Sequence, residues 1–284
     1  MEKPVAVDPV GVRAIMETSE KADAFGVSVA TGTQFRHMRS FIETYNRVQQ
    51  GMIGEIRSAR GYSLRGQLWY RLPEEGWSEM EAMLRDWVNS NCLSGDHIVE
   101  QHIHGLDVLF WFTGSLPTSV VAVGGRARRV TGDQYDYFSM DYEMENGIHI
   151  DSRCRQIDGC TNNISRWVVG TEGYTNCQDS IFSPDGEVLW KYEPQEGQED
   201  NSPYVQEHID LITAIRRGER INEAVTTAES TLAAIMARES AYTGLEVTWD
   251  ELMQSDMRLG PTEYALGPVD IEAEIPVPGV QEEA

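Results

Sequence analysis

The sequence predicts a chain of the α+β / α/β class: a closing helix–strand unit of a parallel sheet, then a large, mostly antiparallel or mixed sheet packed by helices. Three observations predict it. A helical period runs directly into a short apolar run within the first 33 residues. From Pro117 to Tyr192 the apolar period changes to two, with turn signals at Asn146-Gly147 and Asp185-Gly186. Two helical segments then return between 203 and 243.

The elements follow in order. Asp8-Pro9 reads as an N-cap with proline at the first helical position. Val12, Ile15, Met16 and Ala22 recur at helical spacing up to Gly26, a C-terminal stop. Val27 to Ala30 reads as a short buried strand, followed by a Thr31-Gly32-Thr33 turn. A helix over 37–51 places Met38, Phe41, Ile42, Tyr45 and Val48 on one face. A strand from Ile56 to Leu64 follows, then turns and one short helix over 65–95, then a helix over about 96–113. Strands are expected around Val120, Val121 and Val123, and at Tyr137–Met144, Ile148–Arg153, Ile164–Val169 and Val188–Tyr192. Residues 193–202 read as a polar loop, and 203–217 and 223–243 as helices. From Pro261 the chain is proline-rich and acidic, an extended tail draped over a surface. The expected organisation is therefore 1–33, 34–260 and a tail of 261–284.

Composition narrows the function. Hydrophobic residues make up 40%, enough for a real core. The net charge of −23 argues against nonspecific binding to nucleic acid or anionic membranes, which needs cationic surface. Lys3, Lys21 and Lys191 are the only lysines. No apolar run is long enough to span a membrane, and no signal-peptide core follows Met1. The four cysteines are widely spaced with no CxxC pair, which points to reduced thiols and, by default, a cytoplasmic location.

Glu2-Lys3-Pro4 precedes the Asp8-Pro9 helix, and Glu100-x-x-x-His104-x-x-Asp107-x-x-x-Trp111 comes about a hundred positions later. With Gly54-Glu55-Ile56, Gly170-Thr171-Glu172-Gly173 and the 224–243 helix, this ordered set resembles the Gfo/Idh/MocA family of nicotinamide-dependent oxidoreductases. The segment Ser94 to His104 and the proline-rich tail look like a bacterial subgroup of it. The resemblance covers nearly the whole chain and departs from the pattern twice. No G-x-G-x-x-G occurs, and its expected place lies upstream of Met1, so residues 1–33 read as the remnant of a Rossmann domain in a truncated chain. The family's Asp is Glu100 here, one methylene longer.

The resemblance implies an NAD- or NADP-dependent dehydrogenase acting on a sugar or polyol hydroxyl. It also leaves open an NAD-recycling glycoside-cleaving enzyme; a reading of a different class is a non-catalytic module that binds a carbohydrate or assembles with a partner. The resemblance gives catalytic roles to Lys3, His104 and Glu100, and sets Glu2, Lys3 and Pro4 beside the cofactor, with the Lys3–Pro4 bond cis. By position alone Lys3 is a solvated lysine near the chain start. Glu100 and His104 stand at i, i+4 on one helix face, where a carboxylate orients an imidazole and raises its basicity, or forms an ordinary surface pair. Arg36 reads either as a contact to a substrate oxygen or cofactor phosphate, or as a surface residue. Gln67, Trp69 and Trp87, with Tyr70 and Trp77, lie in irregular chain where aromatic faces suit sugar rings, though core packing is the commoner fate of a tryptophan. His97, His102 and His104 with Asp96 lack the spacing for one shared metal ion. Asp107, one turn below the catalytic His in the resembled motif, reads as structural, capping a helix or pairing with an arginine. The sheet face is the expected contact between copies of the chain.

Overall fold

The computed structural model describes residues 1–194, 201–271 and 273–279; most of the expected 193–202 loop and the last residues of the tail lie outside them. α1 spans Pro9–Phe25, capped as expected: the Asp8 carboxylate accepts from Gly11 N–H at 2.7 Å, and Gly26 ends the helix at φ 70°. The expected buried strand at Val27–Ala30 is not one. Only a single parallel bridge, Val29 to Asn222, forms there, and Val27 is exposed. With one backbone neighbour the segment cannot build a ladder.

A 3₁₀ turn, Gln34–His37, leads into α2, Arg39–Gln49, which buries Phe41 and Val48. β1 is Ile56–Arg65. The irregular stretch holds two short helices, α3 (Glu79–Arg85) and α4 (Asn91–Ser94), with a 3₁₀ turn at Trp87–Asn89 between them. The single helix expected over 96–113 divides in two: a π-helical turn, Ile98–His102, and then α5, Ile103–Thr113. Apolar periodicity does not distinguish the two, because both bury the same residues.

The sheet strands are β2 (Pro117–Gly125), β3 (Tyr137–Met144), β4 (His149–Gln156), β5 (Asn163–Gly170), β6 (Tyr174–Thr175), β7 (Ser180–Phe182) and β8 (Val188–Lys191). α6 (Pro203–Arg217) and α7 (Ala224–Thr243) follow, then β9 (Val247–Thr248) and α8 (Trp249–Gln254). The strand order is β8-β7-β6-β5-β1-β4-β3-β2-β9, and β1–β4 is the only parallel pair in it. β6, β7, β9 and α8 are too short to show a period, which is why the sequence pattern does not reveal them. Asn146-Gly147 joins β3 to β4, with Gly147 at φ 77°.

One face of the sheet is covered. Val120, Ala122, Phe138, Met140, Tyr142, Ile150, Cys154 and Val168 point to it and are buried under α5 and α7. α7 presents Ala228, Ala233, Ala234, Ala237 and Ala241, all buried, and these small side chains let its backbone come close enough for Tyr142 to donate to the Ala233 carbonyl at 3.0 Å. At Gly61 of β1 a Cβ would stand 2.8 Å from Leu109 Cδ1, so α5 seats on the sheet only because that position has no side chain. The opposite face carries Val121, Val123, Asp141, His149 and Arg153 outward. Beyond Pro261 the described tail forms no helix or strand and lies across α3, β3 and the end of α7. Its contacts are Gly267 O with Met80 N–H, Pro276 O with Tyr135 Oη–H, and Gly279 N–H with Thr243 O. Cys154 and Cys177 are buried, Cys160 is exposed, and all four thiols are free.

His37 fastens the first residues to the rest. Its Nδ1 lies 2.8 Å from Asp210 on α6, and its Nε2 lies 2.8 Å from Glu223 at the start of α7. Burial opposes the charge, but Glu223 and then Asp210 outweigh it and raise the imidazole pKa to about 9. This clamp is present in full below the unfolded value of about 6.5 and is lost as pH rises through about 9.

Candidate active site

The π turn and the first turn of α5 face the N-terminal segment across a cavity of about 270 Å³. Lys3 enters it from one side and His104 from the other. The Lys3–Pro4 peptide is cis. Lys3 Nζ donates to Glu100 Oε1 at 2.6 Å and also to the Glu100 carbonyl. The i, i+4 pairing expected between Glu100 and His104 is therefore replaced by an ion pair between Glu100 and Lys3. The physical reason is the π turn, which carries Glu100 just before the α-helical register that sets His104. Glu100 Oε2 is buried without a partner among the described residues.

His104 packs edge-on against Phe35, with ring centroids 6.1 Å apart. Its basicity is not raised. Burial, then Lys3, Arg166 and Arg65, push its pKa down to about 3, so the ring is neutral at pH 7. His102 is 1% exposed and lies behind it, its Nε2 2.7 Å from Ser152 Oγ. Burial and then the charges of His97, Arg166 and Arg65 lower it to about 3 as well. These depressed values fix a stability prediction. Unfolded imidazoles take up a proton near pH 6.5, whereas the folded ones do so only near 3. Stability is complete above about 6.5 and is lost as pH falls toward 3. From His102 alone, moving from pH 7.5 to 5 costs about 2 kcal/mol. Urea unfolding curves at those two pH values check it, the midpoint falling at pH 5.

Five neutral hydrogen-bonding side chains complete the cavity wall: Gln34, Tyr62, Ser63, Gln101 and Tyr204. Two arginines join them. Arg65 and Arg166 come from adjacent strands β1 and β5, on the covered face of the sheet. Neither appears among the residues expected from sequence. A local signal exists only for Arg166, two positions before apolar Val168 and so on the same strand face; the inward side of Arg65 follows from its register opposite buried Gln156.

Other expected residues go elsewhere. Arg36 makes a forked pair with Asp107, its Nε 2.9 Å from Oδ2 and its Nη2 3.0 Å from Oδ1, and lies over the Trp111 ring. Ser230 donates to the same carboxylate, so of the two structural roles expected for Asp107 it takes the arginine pairing and not the cap. Glu2 lines a separate hollow with Thr31 and Glu207. Trp69 and Trp87 pack edge to face with centroids 6.3 Å apart and are partly exposed, outside the Lys3–His104 cavity. Gln67 is outside it too, its N–H bonded to Asp158. Among the described residues no group of three metal-ligating side chains converges.

Residues 41–175, from α2 to β6, match the model of the GFO/IDH/MocA C-terminal domain. Just under half of the chain is thus similar to a Gfo/Idh/MocA C-terminal domain. Solved structures agree on the fold. A probable dehydrogenase from Thermotoga maritima superimposes with a TM-score of 0.64 at 19% identity, over 88% of this chain and 72% of that one. Myo-inositol 2-dehydrogenase from Lactobacillus plantarum gives 0.62 at 18% identity, over 87% and 72%. Aldose-aldose oxidoreductase from Caulobacter crescentus gives 0.66 at 17% identity, over 87% and 70%. No curated protein matches the sequence. α5 packs over β1 and β5, and the Lys3–His104 cavity opens beside them.

Proposed function

We propose that this chain is the substrate-binding and proton-handling part of an NAD(P)-dependent oxidoreductase acting on a hydroxyl of a sugar or polyol. One observation carries the reading: an ammonium at position 3 and a neutral imidazole at position 104 share a single small cavity. Lys3 Nζ, already donating to Glu100, is placed to donate to a substrate oxygen and favour its negative charge. His104, uncharged at neutral pH, is placed to take the hydroxyl proton. The polar wall of Gln34, Ser63, Gln101 and Tyr204 suits a polyhydroxylated ligand. The inositol dehydrogenase and aldose oxidoreductase among the structural neighbours support the same substrate class.

A nicotinamide supplies hydride acceptance in such a reaction. The described residues do not fit its nucleotide half: none of them forms a glycine-rich turn running from a parallel strand into a helix N-terminus, the arrangement that cradles a pyrophosphate. The described residues therefore supply the hydroxyl and proton side of such a reaction. We further propose that copies associate through the open sheet face carrying Val121 and Val123.

The test is the natural gene product, including any coding sequence that precedes Met1, incubated with NAD⁺ or NADP⁺ and a panel of sugars and polyols. The expected result is reduced nicotinamide accumulating at 340 nm with at least one of them. A product that binds neither nucleotide ends the reading. Cleavage of a glycoside without added cofactor or net reduction selects the nucleotide-recycling alternative instead.

A further inference from the structure

Arg65 and Arg166 stand apart from the other cations around the cavity. Lys3 is neutralised by Glu100, and Arg36 by Asp107. Arg65 makes one side-chain hydrogen bond, Nη1 to the neutral Gln101 Oε1 at 3.3 Å. Arg166 makes none among the described residues; its guanidinium lies 4.5 Å over the Phe35 ring. The Nε of each is buried without a partner. Among the described residues no carboxylate lines the cavity.

This is a costly arrangement unless something answers it. A guanidinium carries five donors and no acceptor, so these two half-buried groups, each with its Nε shut off from water and unpaired, give up hydration there and get little back. Burial holds Arg166 below the ordinary guanidinium range, with Arg65 adding repulsion. The chain has 46 acidic residues and a net charge of −23, so carboxylates to pair with were plentiful. Among the described residues none forms an ion pair or hydrogen bond with either; Asp107, already paired with Arg36, acts on Arg166 only from farther off. The sheet itself aims them: Gly61 of β1 pairs with Arg166 and Gln156 of β4 with Arg65, both on the covered face, and Ser63 with Ile164 lies between them. At Gly105, which also lines the cavity, a Cβ would lie 3.8 Å from Arg166 Nε, so a side chain there would close in on that guanidinium.

We infer that Arg65 and Arg166 form an oxyanion subsite, and that the ligand of this cavity is an anionic sugar or polyol, its carboxylate or phosphate held by the two guanidinium groups while a hydroxyl meets Lys3 and His104. This rests on the function proposed above and narrows it from neutral polyols to acidic ones. The anion also answers the electrostatics of the site, since two of the charges that depress His104 are those it would neutralise.

Calorimetric titration of the 284-residue chain tests it, with D-glucuronate, D-glucose 6-phosphate and D-glucose as probes, and acetate and inorganic phosphate as anions without a sugar. The expected result is measurable binding of one or both anionic sugars, weakening as salt is raised, with glucose at least about tenfold weaker. Glucuronate against glucose 6-phosphate decides between a carboxylate and a phosphate. Arg65→Gln and Arg166→Gln each weaken that binding by roughly 10- to 100-fold. Arg166→Lys restores part of it by keeping the charge without the fork. Melting curves matching the parent keep misfolding out of the comparison. Glucose binding as tightly as glucuronate, or Arg→Gln variants that bind like the parent, overturns the subsite. So does acetate or phosphate binding as tightly as the sugars. None of these measurements uses a nucleotide, so the outcomes separate cleanly. Turnover of neutral polyols with no effect of either arginine sinks the subsite alone. Arginine-dependent binding in a gene product without redox activity sinks the dehydrogenase reading and keeps the subsite.

Discussion

Replacing His104 with alanine lowers kcat of the intact oxidoreductase by about 10²- to 10⁴-fold, the usual contribution of a positioned general base. Equilibrium substrate binding changes little, because the arginines and neutral amides of the cavity are untouched. The separation is measurable by steady-state kinetics beside calorimetry on the same variant. A pH profile makes it specific. With its pKa lowered to about 3, the free enzyme's imidazole stays unprotonated through the neutral and mildly acid range. The acid limb of kcat/KM, which reports the free enzyme, therefore lies far below pH 6.5. A limb near pH 6.5 that disappears in His104→Ala shows a hydrated imidazole and refutes the buried one. Parent-like kcat in the variant refutes His104 as the base altogether.

How the sequence foreshadowed this site is instructive. Helix limits were legible because their signals are local: Asp8-Pro9 and Gly26 bracket α1, and Pro203 and Gly218 bracket α6. The central strands were legible because alternate residues are buried on one side of the sheet, as in β3, where Phe138, Met140, Tyr142 and Met144 are all buried. The joint presence of Lys3 and His104 came only through motif order, since nothing local links position 3 to position 104. What stayed hidden was of two kinds. The π turn at Ile98–His102 changes backbone register without changing the apolar pattern, so Glu100 was paired with the wrong partner. Arg65 and Arg166 meet only after β1 and β5 pair antiparallel, a contact about a hundred residues apart that no local period encodes. Trp69 and Trp87 show the converse: their side chains looked suited to sugar, and they pack against each other outside the cavity.

The largest effect on stability is expected at Asp96. Its side chain is fully buried at the entrance to the π turn, and its backbone sits at φ 75°, directly after Gly95 at φ 79°. Oδ1 accepts from the His97 backbone N–H and lies 2.9 Å from His97 Nδ1; Oδ2 accepts from Tyr135 N–H at 2.9 Å and Tyr242 Oη–H at 2.5 Å. Burial alone would raise this carboxyl, but the hydrogen bond and charge of His97, then Arg129 and Tyr242, outweigh it and hold the group ionised. One carboxylate thus ties the approach to β3, the end of α7 and the start of the π turn to a single point. Alanine there strands the buried Tyr135 N–H and Tyr242 hydroxyl, and it must also hold a left-handed conformation. Two orphaned donors at about 1–3 kcal/mol each, with about 1 kcal/mol of backbone strain, give a loss of about 3–7 kcal/mol. Asp96→Asn tolerates the left-handed backbone and keeps one acceptor oxygen, so it loses less. Urea unfolding of the three proteins should rank them parent, Asn, Ala. Because the π turn carries Glu100 and leads into His104, the Asp96→Ala chain should also lose binding of any cavity ligand, although Asp96 lines no part of the cavity. An alanine variant as stable as the parent would mean that Tyr135 and Tyr242 find other partners and that the geometry of the π turn is held by the apolar contacts of Ile98 and Val99 alone.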